Sequence, residues 1–536
     1  MQFGALVERM QDNLLLTSRV NGVFKFNSLS DFLTNRPRNF TGLLPLPIPT
    51  FGIRQTLFGT YIQDDTRLRR NLTVNAGLRY EMATVPTEAH GRLSNLLHLT
   101  DIEPQLGSPY FLNPTLRNFE PRVGFAWSPR ADGGTAIRGG FGIFDVLPLP
   151  YTFTLIAPFP LPFSHRIFGD VPQGSFPTEA FLELAGDSTT GSSTYIEHAP
   201  KRSYVMQWNL SASREIPGGI ALTAGYVGSR GVHQPFRVDN FDMVLPSPPT
   251  QTSPPYLFPS VSSSQKLNPN FGRVTGMLWQ ANSFYNALQI VIAKKVSHGI
   301  SVHGAYTWGK SIDTRSATVA DDAYPNGLLN PLFFDQRTTR GLSDFDVRQT
   351  FVSNFTWELP NPKNRSRLTQ WAFSGWQLGG IYRASSGQPF TPLLGGDPLG
   401  LKLDETNEPP DRLFGPDCET LTNQGNPNHY IKTQCLAFPN PASLQGNLGR
   451  NTLIGPGVSK FDASVFKNNH TRLFSENTNV QFRAEFFNLF NRANFASPTD
   501  NLTVFDQARN SVPSAGLITS TQTPSRQIQF ALKVIW

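Results

Sequence analysis

The sequence predicts an all-β chain, an antiparallel transmembrane β-barrel of outer-membrane type. Three observations predict it: period-two alternation over stretches of about ten residues, short turns alternating with long loops, and a composition rich in aromatics but poor in charge. Only 16% of the 536 residues are charged, while Phe reaches 42, Gly 44 and Pro 44. An ordinary soluble domain carries about a quarter charged residues. No run of about 18 apolar residues occurs, which excludes a transmembrane helix. The most apolar stretch, residues 141–163, is broken by prolines that a continuous helix would not tolerate.

The clearest strands alternate without interruption. From Leu72, the residues Leu72, Val74, Ala76, Leu78 and Tyr80 oppose Thr73, Asn75, Gly77, Arg79 and Glu81. Met206, Trp208, Leu210 and Ala212 oppose Gln207, Asn209, Ser211 and Ser213. Phe351, Phe355 and Trp357 oppose Thr350, Asn354, Thr356 and Glu358, and Leu378, Gly380 and Tyr382 oppose Gln377, Gly379 and Arg383. Val480, Phe482, Ala484 and Phe486 oppose Gln481, Arg483 and Glu485. The last strand sets Ile528, Phe530, Leu532, Val534 and Trp536 against Gln527, Gln529 and Lys533. Further strands are predicted near Gln2, Val20, Arg54, Arg122, Thr135, Gly219, Tyr285, Gly299, Gln388 and Lys460, for a total of roughly fifteen to seventeen.

Ile216-Pro217-Gly218-Gly219 and Val296-Ser297-His298-Gly299 read as tight turns. Long Pro/Asn/Ser-rich loops are predicted at about residues 147–201, 234–282, 311–343 and 393–457. That asymmetry, with short turns at one end and long loops at the other, is the pattern of an outer-membrane barrel. A ten-residue strand tilted about 45° rises roughly 24 Å, close to the apolar band of such a barrel. Sandwich strands are shorter, and a propeller would show a repeated blade signature.

The net charge of +7 is spread along the chain, which argues against a nucleic-acid-binding stripe. Cys418 and Cys435 are the only cysteines and lie in a polar stretch, residues 411–440, that reads as a loop. In an oxidising compartment they are able to pair, closing a loop worth about 3 kcal/mol, and two unrelated thiols is the alternative.

Several segments resemble a known family. Phe58-Gly59-Thr60-Tyr61-Ile62-Gln63-Asp64-Asp65, followed by residues 71–81, resembles a strand hairpin of TonB-dependent receptors. So does Gly375-Trp376-Gln377-Leu378-Gly379-Gly380-Ile381-Tyr382, continuing to Ser386-Gly387-Gln388-Pro389-Phe390. Phe482-Arg483-Ala484-Glu485-Phe486-Phe487-Asn488-Leu489-Phe490-Asn491 looks like their penultimate-strand segment, and the combination is most similar to the Oar-like transporters of acidobacteria. The resemblance implies a 22-strand outer-membrane barrel around an N-terminal plug, energised through TonB. The first residues, from Met1 to Arg9, carry no export signal, and no plug or TonB box is recognised. The expectation is therefore a C-terminal portion of a barrel, and an open sheet in lipid would leave edge N–H and C=O groups unsatisfied.

No nucleophile elbow, phosphate loop or dinucleotide fingerprint is present, so an enzyme is not expected, nor a cofactor or a metal. His298 and His303 lack the further ligands a zinc site needs. Asp64-Asp65 and Asp344-Phe345-Asp346 are read as solvated loop carboxylates rather than calcium ligands. The functional candidates are the charged residues on polar strand faces: Arg79, Glu81, Arg383, Arg483 and Glu485. They would line the lumen, contacting a plug or substrate, or merely solvating the wall. The terminal run Ile528, Phe530, Leu532, Val534 and Trp536 resembles the signal read by the barrel-assembly machinery. The expected partners are outer-membrane lipid, that machinery, and TonB through a plug. The competing function is a secreted or surface β-rich binding or adhesion protein, and an unplugged passive porin is a variant of the first.

Overall fold

Alternating sequence becomes wall, and the long loops become a folded cap. The computed structural model describes residues 1–15, 21–44, 50–130, 133–156, 166–185, 191–247, 256, 258, 265–317, 324–328, 332–362, 366–403, 406–439, 446–471 and 478–535. Its main sheet has 17 strands. Three are short additions: Thr87–Glu88, Ser192–Ile196 and Gly341–Leu342. The others form one antiparallel meander in chain order. They are β1 (Gln2–Leu15), β2 (Thr50–Arg69), β3 (Leu72–Ala83), β4 (Phe119–Trp127) and β5 (Thr135–Asp145). Next come β6 (Tyr204–Ile216), β7 (Ile220–Val238), β8 (Arg273–Ser297), β9 (Ile300–Asp313) and β10 (Gln349–Glu358). The meander ends with β11 (Trp376–Ser385), β12 (Val458–Thr471), β13 (Thr478–Phe487) and β14 (Gln527–Ile535).

Each strand pairs with its neighbours in sequence, so every even connection lies at one end and every odd connection at the other. At the turn end the connections are short, apart from residues 359–375 between β10 and β11. Between β8 and β9, His298 and Gly299 adopt φ of 54° and 76°, the positive pair that a two-residue hairpin requires. At the opposite end all the long connections gather. Among the described residues β1 pairs with β2 alone and β14 with β13 alone. The hydrogen-bonded meander therefore has two edges, and each needs a partner wherever it meets lipid.

Paired residues point the same way, so register assigns every side chain to a face. One face is continuously apolar. Ile62 pairs with Leu78, Val123 with Phe141, Phe141 with Trp208, Leu210 with Tyr226, Tyr226 with Leu288 and Leu288 with Trp308. The track continues through Tyr306–Phe351, Tyr382–Phe461, Ala463–Phe486 and Phe486–Ile528. Val123 and Leu210 are each 52% exposed and Trp308 is 55% exposed. Such a belt is stable only against an apolar solvent.

The buried hydrophobic clusters lie at the loop end. One cluster joins Phe236, Phe241, Met243, Val274 and Leu278 to Leu332, Leu399 and Leu401. A second packs Phe390, Leu421, Tyr430, Ile431, Cys435, Leu448 and Val504. A third holds Ile53, Tyr110, Phe111, Phe153, Ile196 and Trp279, and a fourth holds Phe40, Ile167, Val171 and Leu184.

Several expected boundaries change. The loop expected at 234–282 is shorter, because β7 runs to Val238 and β8 begins at Arg273. Register shifts around Gln234 accommodate Pro235, which has no N–H to give a ladder. The strands expected near Val20 and Gln388 are the short pieces Val23–Lys25 and Pro389–Phe390, which pair within the cap instead of the wall.

Candidate functional site: the polar wall and the loop cap

The opposite face of the wall is polar along its whole width. Tyr61 pairs with Arg79, Arg79 with Glu120, Arg122 with Gly142, Gly142 with Gln207 and Gln207 with Ser229. Gln289 pairs with Thr307, Thr307 with Thr350, Val352 with Arg383, Arg383 with Lys460 and Ser464 with Glu485. All five charged candidates from the sequence, Arg79, Glu81, Arg383, Arg483 and Glu485, therefore stand on one face. The structure does not bring them to one point: Arg79 and Glu81 lie on β3, Arg383 on β11, and Arg483 with Glu485 on β13.

Arg79 Nε donates to Glu81 Oε1 at 2.6 Å. That pair is the first rung of a ladder that sequence reading missed. Arg122 bonds Glu120 at 2.6 Å on β4. Arg202 forks onto the Asp145 carboxylate at 2.7 and 2.8 Å, joining the end of β5 to the chain entering β6. Three arginine–carboxylate pairs thus stand side by side on β3, β4 and the β5–β6 junction; the first two bridge i, i+2 positions of one strand, and bidentate geometry makes the last the strongest type. The i, i+2 spacing within β3 and β4 was the signal for the first two, whereas Asp145 and Arg202 lie 57 residues apart and are brought together only by the fold. On the other flank, Arg483 Nε donates to Gln481 at 2.5 Å and its guanidinium lies over Phe466. Lys460 pairs with Asp462 at 3.0 Å beside Arg383.

Above the wall, buried ionic pins hold the cap. Arg450 donates Nη1 to Asp313 and Nη2 to Asp344, each at 2.7 Å, and both carboxylates are buried. Asn451 Nδ2 adds a bond to Asp344 at 2.7 Å, and Ser311 N–H donates to Asp346 at 2.6 Å. Asp344 and Asp346 are therefore not the solvated carboxylates expected from sequence; both are buried acceptors, Asp344 tying the β9–β10 connection to the chain before β12 and Asp346 tying it back to β9. No group of three or more His, Cys, Asp or Glu side chains converges to hold a metal among the described residues.

Cys418 and Cys435 form a disulfide, with a Cα–Cα distance of 5.4 Å. Their surroundings differ from the polar loop expected, because Cys435 is fully buried among Tyr430, Leu436 and Leu448. Nearby, a cavity of about 240 Å³ is lined by Leu332, Thr339, Thr391, Glu408, Gly446 and Arg450. Burial pushes the Glu408 carboxyl up to about 8, against a weaker downward pull from the Gly446 N–H it accepts. A larger cavity of about 900 Å³ opens where five of the long connections meet. Its lining includes Arg38, Phe168, Asp170, Lys266, Phe271 and Lys402.

At the C-terminus, Ile528, Phe530, Leu532 and Val534 share the apolar face, and Phe530 stacks on Phe482 with ring centroids 6.2 Å apart. Trp536 lies outside the described residues.

An apolar belt on one face, a polar ladder on the other and alternating short and long connections define a transmembrane β-barrel wall. The sequence matches the family described as "Outer membrane beta barrel domain" over residues 1–529, and the chain belongs to that family. It is an outer-membrane protein. Similar solved structures include the outer membrane transporter YddB from Escherichia coli, at 10% identity and TM-score 0.44, covering 93% of this chain and 47% of that one. A mutant form of the ferric enterobactin receptor from Pseudomonas aeruginosa gives 10% identity and TM-score 0.43, with 92% and 52% covered. The siderophore receptor PirA from Acinetobacter baumannii gives 10% and 0.41, with 92% and 53% covered. This chain spans about half the length of these structures. Among curated proteins no match is found.

Proposed function

We propose that the chain forms the wall and loop cap of a TonB-dependent transporter of the Oar-like type, moving a large or scarce substrate across the outer membrane. The observation that carries this reading is the register-continuous polar face with its arginine–carboxylate ladder, lying beneath a cap folded from long connections. Fixed charges on an interior wall suit contacts to a plug domain or to a polar substrate in transit. In this reading Arg79, Glu81, Arg383, Arg483 and Glu485 face the lumen. Energy reaches the site from TonB through a plug, which the described residues do not include, and strands flanking β1 and β14 close the wall. The barrel-assembly machinery engages the β14 end. The chemistry is passage rather than catalysis.

Uptake profiling tests it. Cells with and without this protein, each with TonB intact or deleted, are compared for depletion of components from a complex medium. Depletion that requires both the protein and TonB supports the reading. Depletion that requires the protein but persists without TonB assigns it to a passive pore.

A further inference from the structure

The connection between β10 and β11, residues 359–375, is the one turn-end connection with its own helix among the described residues, Arg367–Phe373. Ser366 caps it by accepting the Thr369 N–H. Leu368 and Trp371 share a face at i, i+3 and are 80% and 67% exposed; Phe373 is 65% exposed at the end. So short an element with such side chains in water has no reason to hold together.

Its attachment shows where it sits. Lys467 of β12 pairs in register with Trp376 and with Phe482, so it stands on the apolar face of the wall, yet it is only 8% exposed. A cation on that face needs its charge met locally. The helix meets it: Lys467 Nζ donates to Ser374 O at 2.7 Å and to Asn469 Oδ1 at 2.6 Å, and lies 5.8 Å from the Trp371 ring and 5.9 Å from the Trp376 ring. Trp376 Nε1 then donates to Ala372 O at 2.8 Å. Both anchors fasten the helix to the lipid-facing side of the wall at its turn end, not to the polar side.

We infer that this helix is a membrane anchor whose Leu368–Trp371 face lies in the headgroup–acyl boundary of the leaflet at the turn end. The surface is continuous with the apolar belt that already meets lipid, and Trp127, Trp357 and Trp376 stand at the same end of the same face. Tryptophan prefers that depth because its ring is apolar and its N–H polar. Lys467 is the positioning residue: its cation draws the helix against the wall and thereby fixes the depth at which the wall rides.

The test uses the full chain in phosphatidylethanolamine/phosphatidylglycerol vesicles, with a nitroxide placed by Leu368→Cys, Trp371→Cys or, on the opposite face, Gln370→Cys. The native cysteines are paired and do not take the label. The inference expects labels at 368 and 371 to collide preferentially with oxygen, and the label at 370 with an aqueous nickel chelate. Preference for the nickel chelate at 368 and 371 would overturn it, and so would shielding from both reagents, which would place the face against protein. An independent readout needs no label: lipids brominated near the glycerol should quench wild type more than Trp371→Phe. Equal quenching of the two overturns the inference as well.

Discussion

The wall and the cap of this chain solve opposite problems. The wall turns Ile62, Leu78, Val123, Phe141, Leu210 and Leu288 outward and keeps Arg79, Glu120 and Arg122 on its other face. The cap does what a soluble domain does: it buries Phe40, Phe241, Trp279 and Phe390 and pins charged groups in its interior. The difference follows from solvent. Lipid satisfies apolar side chains but no backbone group, so the wall relies on the ladder of inter-strand hydrogen bonds. Water satisfies loose backbone, so the cap orders only where apolar burial and ion pairs outweigh chain entropy.

The largest expected effect separates the two regions. Arg450→Ala leaves Asp313 and Asp344 buried without the guanidinium that bonds them both, which costs about 3–5 kcal/mol. The loss should appear as protease cleavage within the cap, while the wall keeps its heat-modifiable migration on gels. Cleavage unchanged from wild type would show that the pin is dispensable.

Next in size is a charge on the lipid side. Leu288→Arg at mid-strand should lower barrel stability by about 2–4 kcal/mol, whereas Gln289→Arg one residue along should be nearly neutral. Urea unfolding in vesicles measures both, and equal losses would erase the distinction between the two faces.

A smaller effect should follow pH. Glu408 has a folded pKa of about 8 against an ordinary 4.5, so the folded cap prefers the protonated form. That contribution is complete below about 4.5 and is lost as pH rises through about 8. Amide exchange around Gly446 should therefore quicken beyond its intrinsic base dependence between about pH 5 and 8 and gain no further excess above that, and Glu408→Gln should remove the excess. The smallest effect is expected from replacing Arg483 and Glu485 together by alanine. If they only face the lumen, assembly stays intact, and loss of the barrel from the membrane would assign them a structural part instead.

Much of the wall was legible because its code is local. Alternation from Leu72 to Glu81, or from Val480 to Phe486, is a period-two signal within one strand, and it also placed Arg79, Glu81, Arg383, Arg483 and Glu485 on the polar face. The cap was not legible, because its code is non-local. Nothing near Asp344 in sequence points to Arg450, and nothing near Cys435 announces that Phe390 and Val504 close over it. Prolines and asparagines in residues 393–457 read as loop, and the described residues there form turns and two-residue strand pieces stapled to a buried core. Asp145 and Arg202 fell between the two cases: each sits in or beside a strand, but their pairing depends on how β5 meets the chain entering β6, which a single sequence does not display.

The central claim is that one wall separates an apolar outer face from a polar inner one. Cysteine substitution at consecutive positions from Leu288 to Ala293 on β8, in protein assembled in native outer membranes, tests it most directly. With a small membrane-impermeant maleimide, positions 289, 291 and 293 should label, while 288, 290 and 292 should label only after detergent extraction. Labelling without that period of two, or in the opposite phase, would contradict the account.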